Sequence, residues 1–307
     1  MLYSSKTAAQ KRRDFRDMLA SGKTLQFPGA FTPISARLIE EKKFDGVYIS
    51  GAVLANELGF PDVGLTTLTE VAQRAGQIAR LTNLPAIVDA DTGFGEPMNV
   101  ARTVQELEEF GLSGCHIEDQ FNPKRCGHLD NKNIVDEDVA VKRIQAAAQA
   151  RRDDNFLIMA RTDLRGIDTL EAAIDRMRAL VDAGADAIFP EALKSLDEFE
   201  AVRAAIDVPI LANMTEFGKS ALYTKDQLAQ VGVNMIIYPV TLLRSSLGAM
   251  ERVLDTIEQD GTQEAAVDEM FTRARLYDLV DYQAYNAFDT GIFNFEVPQR
   301  FQGETND

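Results

Sequence analysis

Short apolar runs alternate along the chain with longer stretches whose apolar residues recur at helical spacing, and loops holding Gly, Pro or acidic residues separate them. The beat recurs eight times. The runs read as strands at 25–30, 46–50, 86–91, 114–118, 157–162, 187–191, 210–214 and 235–239. Amphipathic stretches at 68–81, 100–110, 139–150, 170–181 and 196–206 read as helices. Ser195 with Glu198 three residues on has the spacing of a capping box, and Gly111 and Gly184 fall where a helix needs a left-handed residue beyond its end. Strands alternating with helices pair in parallel, and this many units with no GxGxxG turn predict a (β/α)8 barrel rather than an open doubly wound sheet. Helical pattern continues over 242–258 and 265–285, beyond what a barrel needs. Such surplus apolar helix either packs on another subunit or caps its own barrel; a homo-oligomer is the expectation. No linker divides the chain, so 1–307 is expected to be one barrel domain with a helical extension at 242–286 and a polar, mobile tail from Gln299.

Composition narrows the function. The chain has 307 residues, is 45% hydrophobic and can bury a sizeable core. Lys and Arg total 32 against 48 Asp and Glu, and the net charge of −16 disfavours nucleic acid and anionic membrane surfaces as partners. No apolar run is long enough to span a bilayer, and Cys115 and Cys126 cannot staple a fold of this size, so a reducing, cytosolic setting is expected.

Parity along a strand selects the side chains that share a face, and barrel active sites gather at the C-terminal rim. There the strands end in Tyr48 and Ser50, Asp89 and Asp91, His116 and Glu118, Arg161 and Asp163, Phe189 and Glu191, and Asn213 and Thr215. Two carboxylates in DADTGFGEP, 89–97, suit Mg²⁺, with Glu118 and Asp62 available to hold its waters. A capping Asp pair would have the same sequence; the second acidic strand end, HIEDQ at 116–120, weighs towards metal. Cys126 in KRCGH stands among Lys124, Arg125 and His128, which favour thiolate, whereas Cys115 should face a helix. Zinc spacing, a strand-end Lys for a Schiff base and a GxSxG elbow are all missing from the sequence. What remains is metal-assisted chemistry on a small, multiply charged acid, with Arg161, Arg244 and Arg273 available for its carboxylates.

YISGA, FPDVG, DADTGFG, HIEDQ, KRCGH, MARTD, FPEA, ANMTEFG and YP come in this order, from Tyr48 to Pro239. In them the chain resembles the isocitrate lyase and phosphoenolpyruvate mutase superfamily over nearly its whole length, and most closely the carbon–carbon lyases acting on 2-methylisocitrate in propionate degradation. The resemblance implies a barrel whose last helix is exchanged between subunits, a homotetramer, and Mg²⁺, with Mn²⁺ able to substitute. It implies a tricarboxylate substrate split into pyruvate and succinate. By motif, Asp89 and Asp91 resemble the metal carboxylates, with Asp62 and Glu118 on metal-bound waters. Ser50, Gly51 and Ala52 resemble the loop taking the pyruvate-derived carboxylate, although Gly is frequent at the position of Ala52. Glu191, Asn213, Met214, Thr215, Arg244 and Arg273 match substrate contacts, as does Arg161. Cys126, Gly127 and His128 match the catalytic loop, and Leu129 and Asp130 after it depart from the basic residue and Pro often found there. Phe189, Ile237 and Pro239 hold positions that leave room for a methyl.

Granted that substrate, Tyr48 is the candidate base for its hydroxyl, with a metal-bound water held by Glu118 as the competitor, and Cys126 the acid that ends the reaction. Arg161 stabilises the developing charge. Isocitrate lyase is the near alternative, disfavoured by the absence of Trp from the sequence. Oxaloacetate decarboxylation and phosphonopyruvate hydrolysis use the same platform, and a barrel repurposed for binding would have no need of this whole set.

Overall fold

The computed structural model describes residues 4–124, 133–218 and 220–293. The chain divides into a barrel unit, Tyr3–Leu254, and a C-terminal unit that begins at Asp255. In the barrel unit α1 (Ala8–Ala20) precedes β1 (Leu25–Pro28), α2 (Pro33–Glu41), β2 (Val47–Ile49), α3 (Gly51–Glu57), α4 (Leu68–Ala79), β3 (Ala86–Asp89) and α5 (Pro97–Glu109). Then come β4 (Gly114–Glu118), α6 (Glu137–Ala150), β5 (Leu157–Thr162), α7 (Leu170–Asp182), β6 (Ala187–Pro190), α8 (Leu196–Ala205), β7 (Leu211–Asn213), α9 (Lys225–Gln230) and β8 (Met235–Tyr238).

Strands β2 to β6 pair in sequence order, and β1, β8 and β7 form a second run. Parallel bridges Gly29–Tyr48 and Ile188–Ile210 join the two runs, which closes the ring. Alternation then sorts the side chains into two layers. Phe27, Ile87, Leu157, Met159, Leu211, Met235 and Ile237 fill the interior. Val47, Val88, Cys115, Ile117, Ile158, Ile188 and Ile236 pack outward beneath the helices. Cys115 is buried there, as its parity requires, and burial pushes its thiol far above the usual range.

Helix α1 is a finding that the polar run Lys11-Arg12-Arg13-Asp14 conceals. A reciprocal Thr7–Gln10 capping box starts it, and Phe15 and Leu19 join the interior cluster. The Phe15 ring lies 5.4 Å from that of Phe27. Lys11 and Arg12 are themselves buried, donating to the carbonyls of Ala79, Leu112 and Glu108, so their charges serve backbone groups just before the strands.

The expected cap residues mostly hold. Gly111 and Gly184 have φ of +84° and +107°. Ser195 accepts from the Glu198 amide, but the Glu198 carboxylate is drawn away to Arg165 at 2.8 Å and to the Lys194 amide, so the capping box is not reciprocal. Beyond the barrel, α10 (Thr241–Asp260) matches its expected span. The helical stretch expected over 265–285 is built of separate pieces. A 3-10 segment, Glu264–Glu269, is followed by α11 (Arg273–Leu279), capped by Thr272, and by α12 (Tyr282–Phe293). Asp281, at φ +59°, stands at the break between the last two. No described helix is long and apolar enough to cross a membrane.

Candidate active site

The inward parity that carries apolar residues through the barrel carries polar ones at its C-terminal rim. Register sets their neighbours: Asp89 stands beside His116 in the β3–β4 ladder, and Glu118 beside Arg161 in β4–β5. Asp89 accepts from the Asp91 amide at 2.9 Å, and the Gly51 amide approaches its other oxygen at 3.3 Å. A Cβ at Gly51 would come within 3.0 Å of that carboxylate and 3.1 Å of Asp91, so glycine keeps the approach open. Asp91 itself turns the chain with φ +47°. Burial opposes ionisation of Asp89, but His116, Lys124 and Arg161 around it hold its carboxyl below the usual range. For Asp91, burial and the neighbouring Asp89 prevail over Lys124 and push the carboxyl up to about 6.

Lys124 has partners that the sequence does not indicate. Its ammonium is committed to carboxylates, pairing closely with Asp62 and lying 2.9 Å from Asp91. Arg125, Cys126, Gly127 and His128 lie outside the described residues.

Glu118 is buried with no hydrogen bond to either oxygen among the described residues, and Arg161 Nε stands 3.3 Å from Oε2. Burial holds its carboxyl well above the usual range against Arg161 and Lys124. Arg161 is gripped on its edge by Asp163 at 2.9 and 3.2 Å, with Glu191 at 3.5 Å and the ring of Phe189 5.0 Å beneath. Asp163 is held in turn by Asp119, which accepts from its amide and from Thr162 and Arg176. These buried carboxylates outnumber the cations named among them, Lys124, Arg161 and Arg176.

Tyr48 is buried, and its hydroxyl lies 2.8 Å from His116 Nε2. Burial lowers the imidazole to about 4, so His116 is neutral, and its Nδ1 lies 3.6 Å from Asp89. The proton then belongs on Nδ1, facing the carboxylate, and Tyr48 donates to Nε2. Burial and Asp89 hold the phenol well above its ordinary value. His116, which its shared parity with Glu118 places at the rim, thus stands behind Tyr48 and against Asp89.

Ser50, Ala52, Asp62, Asp89, Arg161, Phe189, Glu191, Asn213, Thr215 and Pro239 line one cavity with Tyr48, and Lys124, outside the expected set, lines it too. Two expected contacts differ. Met214 turns its side chain into the helical layer, where its sulfur accepts from the Tyr223 amide, and its own amide bonds the Ile237 carbonyl. Ile237 lies in the barrel interior, while Val240 takes a place in the lining. Met214 lies between two rim positions and so takes the opposite face, whereas Ile237 shares the inward parity of Pro239 but stands one layer deeper in the barrel. Arg244 extends towards solvent, held by Glu216 at 2.9 Å and stacked on Phe217. Arg273 opens α11 in the C-terminal unit. A wider groove, about 370 Å³ beside α3 and α4, has Glu57 paired with Arg74 and no such constellation.

Among the described residues no three His, Cys, Asp or Glu side chains converge tightly enough to hold a metal unaided. That suits an ion taking one or two carboxylates and completing its shell with water and substrate. The buried Glu118 oxygens without hydrogen bonds and the excess of carboxylate over cation fit such an ion.

The phosphoenolpyruvate phosphomutase family model matches residues 15–258. The chain is 55% identical to probable 2-methylisocitrate lyase 2 of Corynebacterium glutamicum over 297 residues, 96% of this chain and 97% of that one. It is 46% identical to the 2-methylisocitrate lyase of Aeropyrum pernix, covering 90% and 89%. Among solved structures, oxaloacetate acetylhydrolase with the inhibitor 3,3-difluorooxalacetate superposes with a TM-score of 0.88 at 31% identity, over 95% of this chain and all of the other. Phosphonopyruvate hydrolase in complex with oxalate and Mg²⁺ superposes at 0.82 and 27% identity, over 91% and 98%.

Proposed function

Since the chain belongs to the phosphoenolpyruvate phosphomutase family, we propose that it is a 2-methylisocitrate lyase, splitting its substrate into pyruvate and succinate in the methylcitrate cycle of propionate degradation. The near full-length likeness to the Corynebacterium lyase carries this choice of substrate, since the fold alone serves several reactions.

Cleavage requires that the substrate's hydroxyl lose its proton while the adjacent carbon–carbon bond breaks. The hydroxyl carbon becomes the keto carbon of pyruvate, and the bonding electrons pass onto a carbon beside a carboxylate. Tyr48 is the proposed acceptor of the hydroxyl proton, passing its own phenolic proton along the bond to His116 Nε2, so that the imidazole becomes the cation facing Asp89. Arg161, fixed by Asp163, supplies positive charge for the enediolate that becomes succinate, with Asn213 and Thr215 lining the same cavity. Cys126 is the proposed donor of the closing proton. Ser50, Gly51 and Ala52, at the start of α3, take the pyruvate carboxylate; Glu191, Gly127, His128, Arg244 and Arg273 complete the substrate contacts. Asp89 and Asp91 would hold Mg²⁺, or Mn²⁺ in its place, with Asp62 and Glu118 on its waters, and the bound ion lowers the energy of the alkoxide. Phe189 and Pro239, with Val240, bound the space offered to the methyl.

Exposed Leu247, Met250 and Leu254 make an apolar stripe along α10, and Phe288 and Ile292 are exposed on α12. These faces support a homotetramer with exchanged C-terminal helices, the chain otherwise working as one barrel domain with its helical extension.

The test is a panel of 2-methylisocitrate, isocitrate, oxaloacetate and phosphonopyruvate with Mg²⁺. The highest kcat/KM is expected on 2-methylisocitrate, with some turnover of isocitrate, because one methyl in an apolar pocket contributes only about 1–3 kcal/mol. A higher kcat/KM on any other member would move the assignment to that reaction.

A further inference from the structure

Lys124 has three features that do not belong to an ordinary buried ion pair. Its ammonium is almost wholly buried, it is shared between Asp62 and Asp91, and it lies within electrostatic reach of Asp89 and Glu118 as well. It therefore faces the same carboxylates that the proposed divalent ion would use directly or through water. Lys124 lines a cavity of about 50 Å³, room for a few waters.

The arm that carries the charge can move without the barrel. Arg143 donates to the carbonyls of Glu118 and Gln120, and the Phe121 amide donates to Asn133, so the backbone before Lys124 is tied down. Beyond those ties, a four-carbon stem ends in a strongly hydrated point charge, the kind of group that reorients readily into water. An ammonium and a dication on one carboxylate would stand within a few ångströms of each other, like charges in a buried site.

We propose that Lys124 is the resident counter-cation of this cluster, and that a divalent ion enters by exchange, the ammonium leaving Asp62 and Asp91 as the ion arrives. This rests on the reading that the cluster takes such an ion. The exchange lets the carboxylates stay neutralised at every stage.

The experiment follows the reactivity of the amine, not turnover. The full-length protein is treated with an amine-acylating reagent at fixed pH, with and without saturating Mg²⁺ and no substrate, and acylation of each lysine is read by peptide mass spectrometry. Exposed Lys142 serves as the internal reference. Mg²⁺ is expected to raise Lys124 acylation at least about tenfold relative to Lys142, as for a protected group released into solvent. Calorimetry on the same samples reports whether the ion binds. Bound Mg²⁺ with Lys124 still protected overturns the exchange and leaves the metal reading standing; no Mg²⁺ bound at any concentration overturns both. As a second measurement, Lys124→Met should bind Mg²⁺ about tenfold more tightly than the parent, the exchange no longer opposing entry. An equal or weaker dissociation constant in a folded Lys124→Met protein contradicts the proposal, and the acylation result on the unaltered protein stands whether or not that variant folds.

Discussion

Glu118 and Arg161 are paired in the β4–β5 register with Nε 3.3 Å from Oε2, yet the guanidinium makes its hydrogen bonds to Asp163 instead. The Arg161 fork is thus aimed by Asp163, while Glu118 faces it without a hydrogen bond. Lysine cannot reproduce a fork held at two points. Arg161→Lys should lower kcat about 10²- to 10³-fold, the usual worth of a preorganised charge at a developing oxyanion. Steady-state kinetics checked against circular dichroism decide it; near-parental kcat in a folded protein would remove Arg161 from charge stabilisation.

Activity should depend on a divalent ion held by Asp89 and Asp91. Exhaustive chelation is expected to abolish turnover and added Mg²⁺ to restore it, while Asp91→Ala should stay inactive at any Mg²⁺ concentration in the assay. Full turnover after chelation, or in Asp91→Ala, contradicts the assignment of these carboxylates.

The two cysteines should separate cleanly. Cys126→Ser keeps the size but is a much weaker acid, so single-turnover cleavage should slow on the order of 10²- to 10⁴-fold. Cys115 lies in the outer layer with its thiol driven far up by burial, and Cys115→Ser should cleave near the parental rate. Equal losses in both variants would show that the loop thiol is not the acid.

Helix α1 is expected to matter for stability rather than chemistry. Phe15 is fully buried against Phe27, and Phe15→Ala should cost about 3–5 kcal/mol, as large-to-small changes of a core phenylalanine do. Denaturant unfolding measures it. A loss below about 1 kcal/mol, the range of a surface site, would mean that α1 does not seal the barrel.

The barrel and most of its rim were legible because both rest on one regularity, the alternation of side chains along a strand. It sets Cys115 outward and Asp89, His116, Glu118 and Arg161 inward. The same regularity turns Met214 away from the cavity, whereas Ile237 faces inward but too deep in the barrel to line it, a matter of height along the strand that alternation does not encode. Helix α1 was hidden because Lys11 and Arg12 look solvent-bound, and only tertiary structure shows the carbonyls they satisfy. The pairing of Lys124 with Asp62 and Asp91 joins residues far apart in sequence, and neither periodicity nor local composition encodes such a meeting. The breaks in the C-terminal helical run turn on a Thr272 cap and a left-handed Asp281, both local signals that the apolar pattern around them outweighed.

The most direct test of the central claim is to identify the products from 2-methylisocitrate by NMR while the substrate is consumed. Pyruvate and succinate should appear together in equal amounts, matching the substrate lost, with no lag between them. Failure of either to appear, or a carbon balance that requires loss of carbon dioxide, would contradict cleavage of the central carbon–carbon bond and with it the function proposed for this chain.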